Sequence, residues 1–184
     1  MRIISGKYKG NLVSFHADNI RPTTDRVKES EFNILRERVE GARVLDLFAG
    51  TGSLGIESLS RGASELTMVE SSGKSIDIIR KNLTKLKVQE AVKILQKDVL
   101  IFLRNYEGEP FDLVFADPPF TKSMADEVVL TYSQSKVFHA TTILTIESGR
   151  KEKLEDDYPP LFRYDKREFG DKVLSFYAKK SETQ

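Results

Sequence analysis

VLDLFAGTGSLG (44–55) begins as an apolar, strand-like run, breaks into a glycine loop at Gly50-x-Gly52-x-x-Gly55 and returns to apolar residues at the start of a helix. A strand that opens through such a loop into a helix is the first half of a βαβ unit. It sets the loop at the carboxyl end of the strand, where open α/β sheets bind their ligands. On this reading ARVLDLF (42–48) is the first strand, and the helix runs from about Ser53 to Arg61.

The same alternation repeats downstream. ELTMVE (65–70), AVKILQ (91–96), FDLVFAD (111–117) and TTILTIES (141–148) are short apolar, largely β-branched runs. Between them Ile76, Ile79, Leu83 and Leu86 recur at helical spacing, Val99, Phe102, Leu103 and Tyr106 share a second stripe, and a third helical segment surrounds Met124 to Tyr132. Strands alternating with amphipathic helices predict an α/β fold, mostly parallel, with helices on both faces. LFRYDKREF and VLSFYAK, joined by Gly170-Asp171, predict an antiparallel C-terminal hairpin. Upstream, RIISGKYKGNLVSF predicts a small hairpin around Gly6 to Gly10, and Asp25 to Glu40 a helix with Val27, Ile34, Leu35 and Val39 inward. Residues 1–40 are therefore expected to form an appendage on an α/β domain spanning 41–184.

Composition narrows the chemistry. The 184 residues contain no Cys, which excludes thiol nucleophiles, disulfides and Cys-ligated metals, and the two histidines, His16 and His139, suggest no metal site. No apolar run reaches the roughly 18 residues of a membrane span, and MRIISGKYKG lacks the apolar centre of a signal peptide, so a cytoplasmic protein is expected. The net charge of +1 is unevenly spread. Residues 1–28 hold six basic against two acidic side chains, a basic arm in which Arg2 and Lys7 are candidate phosphate contacts.

The glycine loop permits two readings. It matches the dinucleotide fingerprint, with Glu70 at the end of the second strand to hold ribose hydroxyls, so a dinucleotide-dependent oxidoreductase is one alternative. Against it, Asp46 stands four residues before Gly50, where a carboxylate repels a diphosphate and suits a cationic ligand. S-adenosylmethionine has no phosphate and carries a sulfonium and an ammonium. Gly50 and Gly52 would let the backbone approach it, Glu70 would take its ribose, and Asp98 with the Val99 backbone would meet its adenine. Asp98 is equally placed to cap the following helix. A phosphate-loop reading of ESSGKS fails, because the Gly required five positions before Gly73 is Met68.

FDLVFADPPF (111–120) supplies the acceptor side. Asp117 falls at a strand's carboxyl end, facing the same crevice. When a methyl group passes from sulfur to an exocyclic base amine, positive charge moves onto nitrogen, and a carboxylate aimed there contributes about 3–4 kcal/mol. Pro118 and Pro119 fix the backbone and free a carbonyl as a second acceptor. Orienting the amine in this way accounts for about 7–11 kcal/mol of barrier when geometry is well held. Phe120 offers a stacking surface for the base.

Together, VLDLFAGTGSLG, FDLVFADPPF, RIISGKYKG, RPTTDRVKESEFNIL and the terminal REFGDKVLSFY closely resemble the bacterial 16S ribosomal RNA guanine-N2 methyltransferases, the small-subunit methyltransferase D family. The resemblance covers nearly the whole chain and implies a Rossmann-like class I methyltransferase sheet and S-adenosylmethionine as cofactor. It also implies a cytoplasmic, monomeric enzyme acting on 16S rRNA within the small ribosomal subunit or an assembly intermediate. By carry-over, Asp46, Phe48, Ala49, Gly50, Gly52, Glu70, Asp98 and Val99 line the cofactor, Asp117, Pro118, Pro119 and Phe120 hold the guanine, and Arg21, Thr24 and Arg26 lie over the site. Adenine-N6 enzymes acting on DNA share the Asp-Pro-Pro-aromatic motif and are the nearer rival. A non-catalytic RNA-binding module is the rival from another class, opposed by the intact motif.

Overall fold

The computed structural model describes residues 2–14, 25–119 and 123–180. Eight strands form one sheet: β1 (Arg43–Leu47), β2 (Glu65–Glu70), β3 (Ala91–Gln96), β4 (Phe111–Ala116), β5 (Phe138–Gly149), β6 (Asp157–Tyr158), β7 (Leu161–Phe169) and β8 (Lys172–Lys179), in the order β3-β2-β1-β4-β5-β8-β7-β6. β3 through β5 pair in parallel, and β8, β7 and β6 add antiparallel. The order reverses between β1 and β4, so the crevice of a doubly wound sheet opens above the carboxyl ends of those two strands.

Helices cover both faces. α1 (Asp25–Leu35), α2 (Ser53–Ser60) and α3 (Gly73–Leu86) lie on one side, where Val44, Leu66, Leu113, Phe115, Ile143 and Phe176 face them. α4 (Val99–Arg104) and α5 (Ala125–Ser133) lie on the other against Leu45, Leu47, Val69, Val114, Leu144 and Tyr177. Consecutive residues of β1 therefore point to opposite layers, as period-two alternation in a doubly covered strand requires. Phe115 is fully buried with its ring 5.4 Å from that of Phe32 on α1.

Three expectations change in detail. The predicted N-terminal hairpin is reduced to a single antiparallel bridge, Arg2 with Leu12, around turns at Gly6 and Gly10. The helix expected over 25–40 ends at Leu35, because Arg36 takes a left-handed φ of 46°, and a 3-10 turn carries residues 36–39. The fifth strand starts three residues earlier than the apolar run, and the two-residue β6 had no sequence signal.

Residues 2–14 and α1 bury Ile3, Tyr8, Val13, Val27, Phe32 and Leu35 in the same apolar cluster as the sheet. A buried ionic knot fixes them there. Glu57 of α2 accepts the N–H groups of Ile4 (2.9 Å) and Ser5 (3.1 Å) and pairs with Lys28 (3.2 Å) and Arg61 (2.9 Å), while Lys28 also donates to the Arg2 carbonyl at 2.7 Å. Gly6 has a φ of 80°, and a Cβ there would stand 1.6 Å from the Ser60 carbonyl oxygen, so only glycine fits.

Candidate active site

The turn after β1 folds back on itself. Phe48, Gly50 and Gly52 have φ of 60°, 55° and 81°, and the Gly52 N–H closes the turn on the Ala49 carbonyl at 2.7 Å. Ala49 donates to the Val69 carbonyl at 3.1 Å, so the turn remains attached to β2. A side chain at Gly52 would press within 3.2 Å of Ile56 and 3.4 Å of Ile79 and Met68, whereas around Gly50 an added Cβ would meet nothing nearer than the Phe48 carbonyl at 3.8 Å. The first glycine thus leaves open space beside the backbone and the second permits packing beneath it.

Asp46 projects from β1 into the helix-covered layer below this turn and is only 2% exposed. Its Oδ2 accepts the Gly55 N–H in the first turn of α2 at 2.9 Å, and Gly55 is needed for this approach, since a Cβ there would stand 3.0 Å from the same oxygen. Burial raises the Asp46 carboxyl to about 7, the Asp117 and Glu70 charges push the same way, and the Gly55 hydrogen bond opposes them. Glu70, half-buried at the end of β2, spans the loop: Oε2 accepts from Gly50 and Oε1 from Ser72, each at 2.8 Å.

Asp117 follows the last residue of β4 and is half-buried; Pro118 is buried and Pro119 exposed. Asp98 follows β3, is exposed, and caps α4 by accepting the Ile101 N–H at 3.0 Å, while Val99 is buried. Four acids, Asp98, Glu70, Asp46 and Asp117, therefore end or nearly end the four neighbouring parallel strands β3, β2, β1 and β4.

The predicted substrate contacts divide. Arg2, Lys7 and Arg26 are exposed. Lys7 donates to Glu90 at 2.7 Å and lies over the Tyr8 ring, and the Tyr8 hydroxyl takes the other Glu90 oxygen at 2.8 Å. Partial burial works against Glu90, yet hydrogen bonds from Lys7 and Tyr8 lower it to about 2. Arg21, Thr24 and Phe120 lie outside the described residues.

Two polar residues near the site escaped the sequence reading. Glu31 of α1 is 1% exposed; one of its oxygens takes the Thr145 hydroxyl, and Oε2 finds no hydrogen-bond partner among the described residues. Burial holds this carboxyl well above the usual range, with the charges of Glu147, Asp117 and Asp46 adding to the effect. Asn82 of α3 is buried and joins three segments: it accepts the Ser14 N–H at 2.8 Å, donates to the Ser14 carbonyl at 3.2 Å, and donates to the Thr51 carbonyl of the glycine turn at 3.0 Å. Both were detectable as polar interruptions of inward helical stripes, Val27–Glu31–Leu35 and Ile78–Asn82–Leu86.

The chain as a whole also resembles known proteins. A family model described as conserved hypothetical protein 95 matches residues 1–178. Ribosomal RNA small subunit methyltransferase D of Buchnera aphidicola is 33% identical over 153 residues, covering 83% of this chain and 80% of that one. Its Haemophilus influenzae namesake is 34% identical over 157 residues, covering 84% and 81%. Among solved structures, yhhF of Escherichia coli superposes with a TM-score of 0.87 at 30% identity over 99% of each chain. The expected class I methyltransferase sheet is thus matched in topology along the whole chain, and the chain belongs to the ribosomal RNA small subunit methyltransferase D family.

Proposed function

We propose that the chain transfers a methyl group from S-adenosylmethionine to the exocyclic N2 amine of one guanine in 16S rRNA. The observation that carries this reading is the row of four acids along the carboxyl ends of β3, β2, β1 and β4. Such a rim favours a donor bearing sulfonium and ammonium charge and disfavours the diphosphate of a dinucleotide. The open face of Gly50 is compatible with a ligand lying against the backbone.

In this reading the Phe48–Gly52 turn lines the donor, Glu70 takes its ribose hydroxyls with the lone pairs that Gly50 and Ser72 leave free, and Asp98 and Val99 meet its adenine. Asp46, raised to about 7 by its burial, adds negative charge beneath the turn as the cationic donor draws off its proton. When bound, the donor supplies an electrophilic methyl group on a positively charged sulfur. Asp117 and a carbonyl of the Pro118-Pro119 corner accept the two amine hydrogens, turn the nitrogen lone pair inward and stabilise the charge that develops on nitrogen. Asp117 need not act as a strong base, because the methylated amine is acidic enough to lose its proton afterwards.

The guanine amine is a Watson–Crick donor, so the base must be unpaired or turned out of its stack to reach the rim. On this reading the segment Arg21 to Arg26 would lie over the site and touch cofactor or RNA, and Phe120 would offer its ring to the base. The small ribosomal subunit or an assembly intermediate, in the cytoplasm, supplies recognition by shape that a nearly neutral monomer lacks. Mass spectrometry of 16S rRNA nucleosides from cells with and without the protein tests this. One N2-methylguanosine is expected to disappear; an unchanged profile, or loss of N6-methyladenine from DNA, would contradict it.

A further inference from the structure

Residues 73–97 hold seven basic side chains against two acidic ones, in a chain whose whole net charge is +1. Most of this surplus lies on α3. Lys74, Lys81 and Lys85 are exposed and stand seven and four residues apart, which puts them on one stripe of the helix about 16 Å long.

The stripe has a direction. At its lower end Lys85 donates to the Leu12 carbonyl at 2.7 Å, and the neighbouring Asn82 holds Ser14, so the stripe runs beside the N-terminal segment, where Lys9 is also exposed. At its upper end Lys74 lies in the first turn of α3, two residues beyond Ser72, whose N–H is bound by Glu70 at the sheet's carboxyl rim. The cations thus form a path from the N-terminal segment to the mouth of the site.

Folding does not ask for this arrangement. A lysine in the first turn of a helix opposes the macrodipole, and that turn of α3 contains no acid. Lys9, Lys74 and Lys81 meet no carboxylate among the described residues; the ion pairs nearby are Arg80 with Asp77 and Lys7 with Glu90. The apolar side of α3, with Ile76, Ile79 and Leu86, is buried in the core. The helix therefore has no free apolar face to insert into a lipid surface. A polyanion with regularly spaced charges matches what is left exposed.

We propose that Lys74, Lys81 and Lys85 of α3, with Lys9 of the N-terminal segment, form a track for the RNA phosphate backbone that leads the acceptor strand to the carboxyl rim. The proposal rests on the reading of the chain as an rRNA methyltransferase and adds the surface by which the substrate is held.

The test compares the full-length protein with the double variant Lys74→Glu/Lys81→Glu, which spares the bond made by Lys85. The charge-matched control is Lys151→Glu/Lys153→Glu, on the exposed loop after β5. Binding of small-subunit assembly particles, and of protein-free 16S rRNA beside them, is titrated between 50 and 200 mM salt, alongside S-adenosylmethionine affinity and Tm. The α3 variant is expected to bind RNA at least tenfold more weakly than the control, with a salt slope shallower by about 1.4 for two lost single-strand phosphate contacts. Its Tm and cofactor affinity should match the control.

Equal RNA affinity and slope in the two variants, with methylation of RNA intact, would overturn the track and leave the enzyme reading standing. Failure of the unaltered protein to bind small-subunit assembly particles or to methylate their rRNA would remove both. If the α3 variant lost binding to anionic phospholipid vesicles but kept its RNA affinity, the track would be refuted in favour of a membrane surface.

Discussion

Glu70 accepts the backbone N–H of Gly50 at 2.8 Å, so the acid that ends β2 fastens the glycine turn that ends β1. With Ser72 on its other oxygen at 2.8 Å, the carboxylate is oriented before any ligand arrives. Replacing Glu70 by Ala is expected to loosen the turn and remove charge-assisted hydrogen bonds worth about 1.5–3 kcal/mol, weakening S-adenosylmethionine binding by about 10- to 150-fold. Isothermal titration calorimetry measures this directly, and an affinity within twofold of the unaltered protein would contradict the role.

Asp46 makes stability depend on pH in an unusual direction. Its carboxyl rises from an ordinary 3.8 to about 7 in the folded protein, chiefly through burial, so between those values the folded state holds a proton that the unfolded chain has lost. The stabilisation linked to that proton is complete below about pH 4 and declines as pH rises towards 7; Glu31, shifted in the same sense, extends the decline. Urea denaturation from pH 4 to 8 should show unfolding free energy falling with pH, and Asp46→Asn should flatten the slope.

The same proton gives a binding signature. A cationic ligand at the acidic rim lowers the Asp46 carboxyl, so S-adenosylmethionine binding at pH 6 should release protons. Calorimetry in two buffers of different ionisation enthalpy reads this, and Asp46→Asn should reduce the release.

Glu57 holds the N-terminal segment to the domain through two backbone N–H groups and two cations, and both it and Lys28 are almost wholly buried. Glu57→Ala leaves Lys28 as an uncompensated buried charge and should cost about 3–5 kcal/mol in urea denaturation. Gly6→Ala drives a Cβ into the Ser60 carbonyl and should expose the peptide bonds of residues 2–14 to proteolysis while leaving the sheet folded.

The parallel half of the sheet was legible because each strand is a short apolar run closed by a glycine, an acid or a capping residue, and the α3 stripe from Ile76 to Leu86 is regular. In ESSGKS, where the phosphate-loop reading fails, Ser72 caps α3. What stayed hidden depends on contacts between distant segments. The break at Arg36 follows from a backbone conformation that no local residue announces, and β6 exists only because β7 lies beside it. At the site, the row of acids was visible as strand-end positions, but that Asp46 is spent partly on Gly55 and Glu70 on Gly50 required the turn itself. Glu31 was passed over because the inward stripe of α1 was traced through its apolar members alone.

Asp117 carries the central claim, and the measurement that tests it most directly pairs S-adenosylmethionine affinity with methyl transfer to small-subunit particles in the Asp117→Ala variant. Cofactor affinity within a few-fold of the unaltered protein, with turnover reduced by at least about 100-fold, is the predicted result. Unchanged turnover would contradict the account.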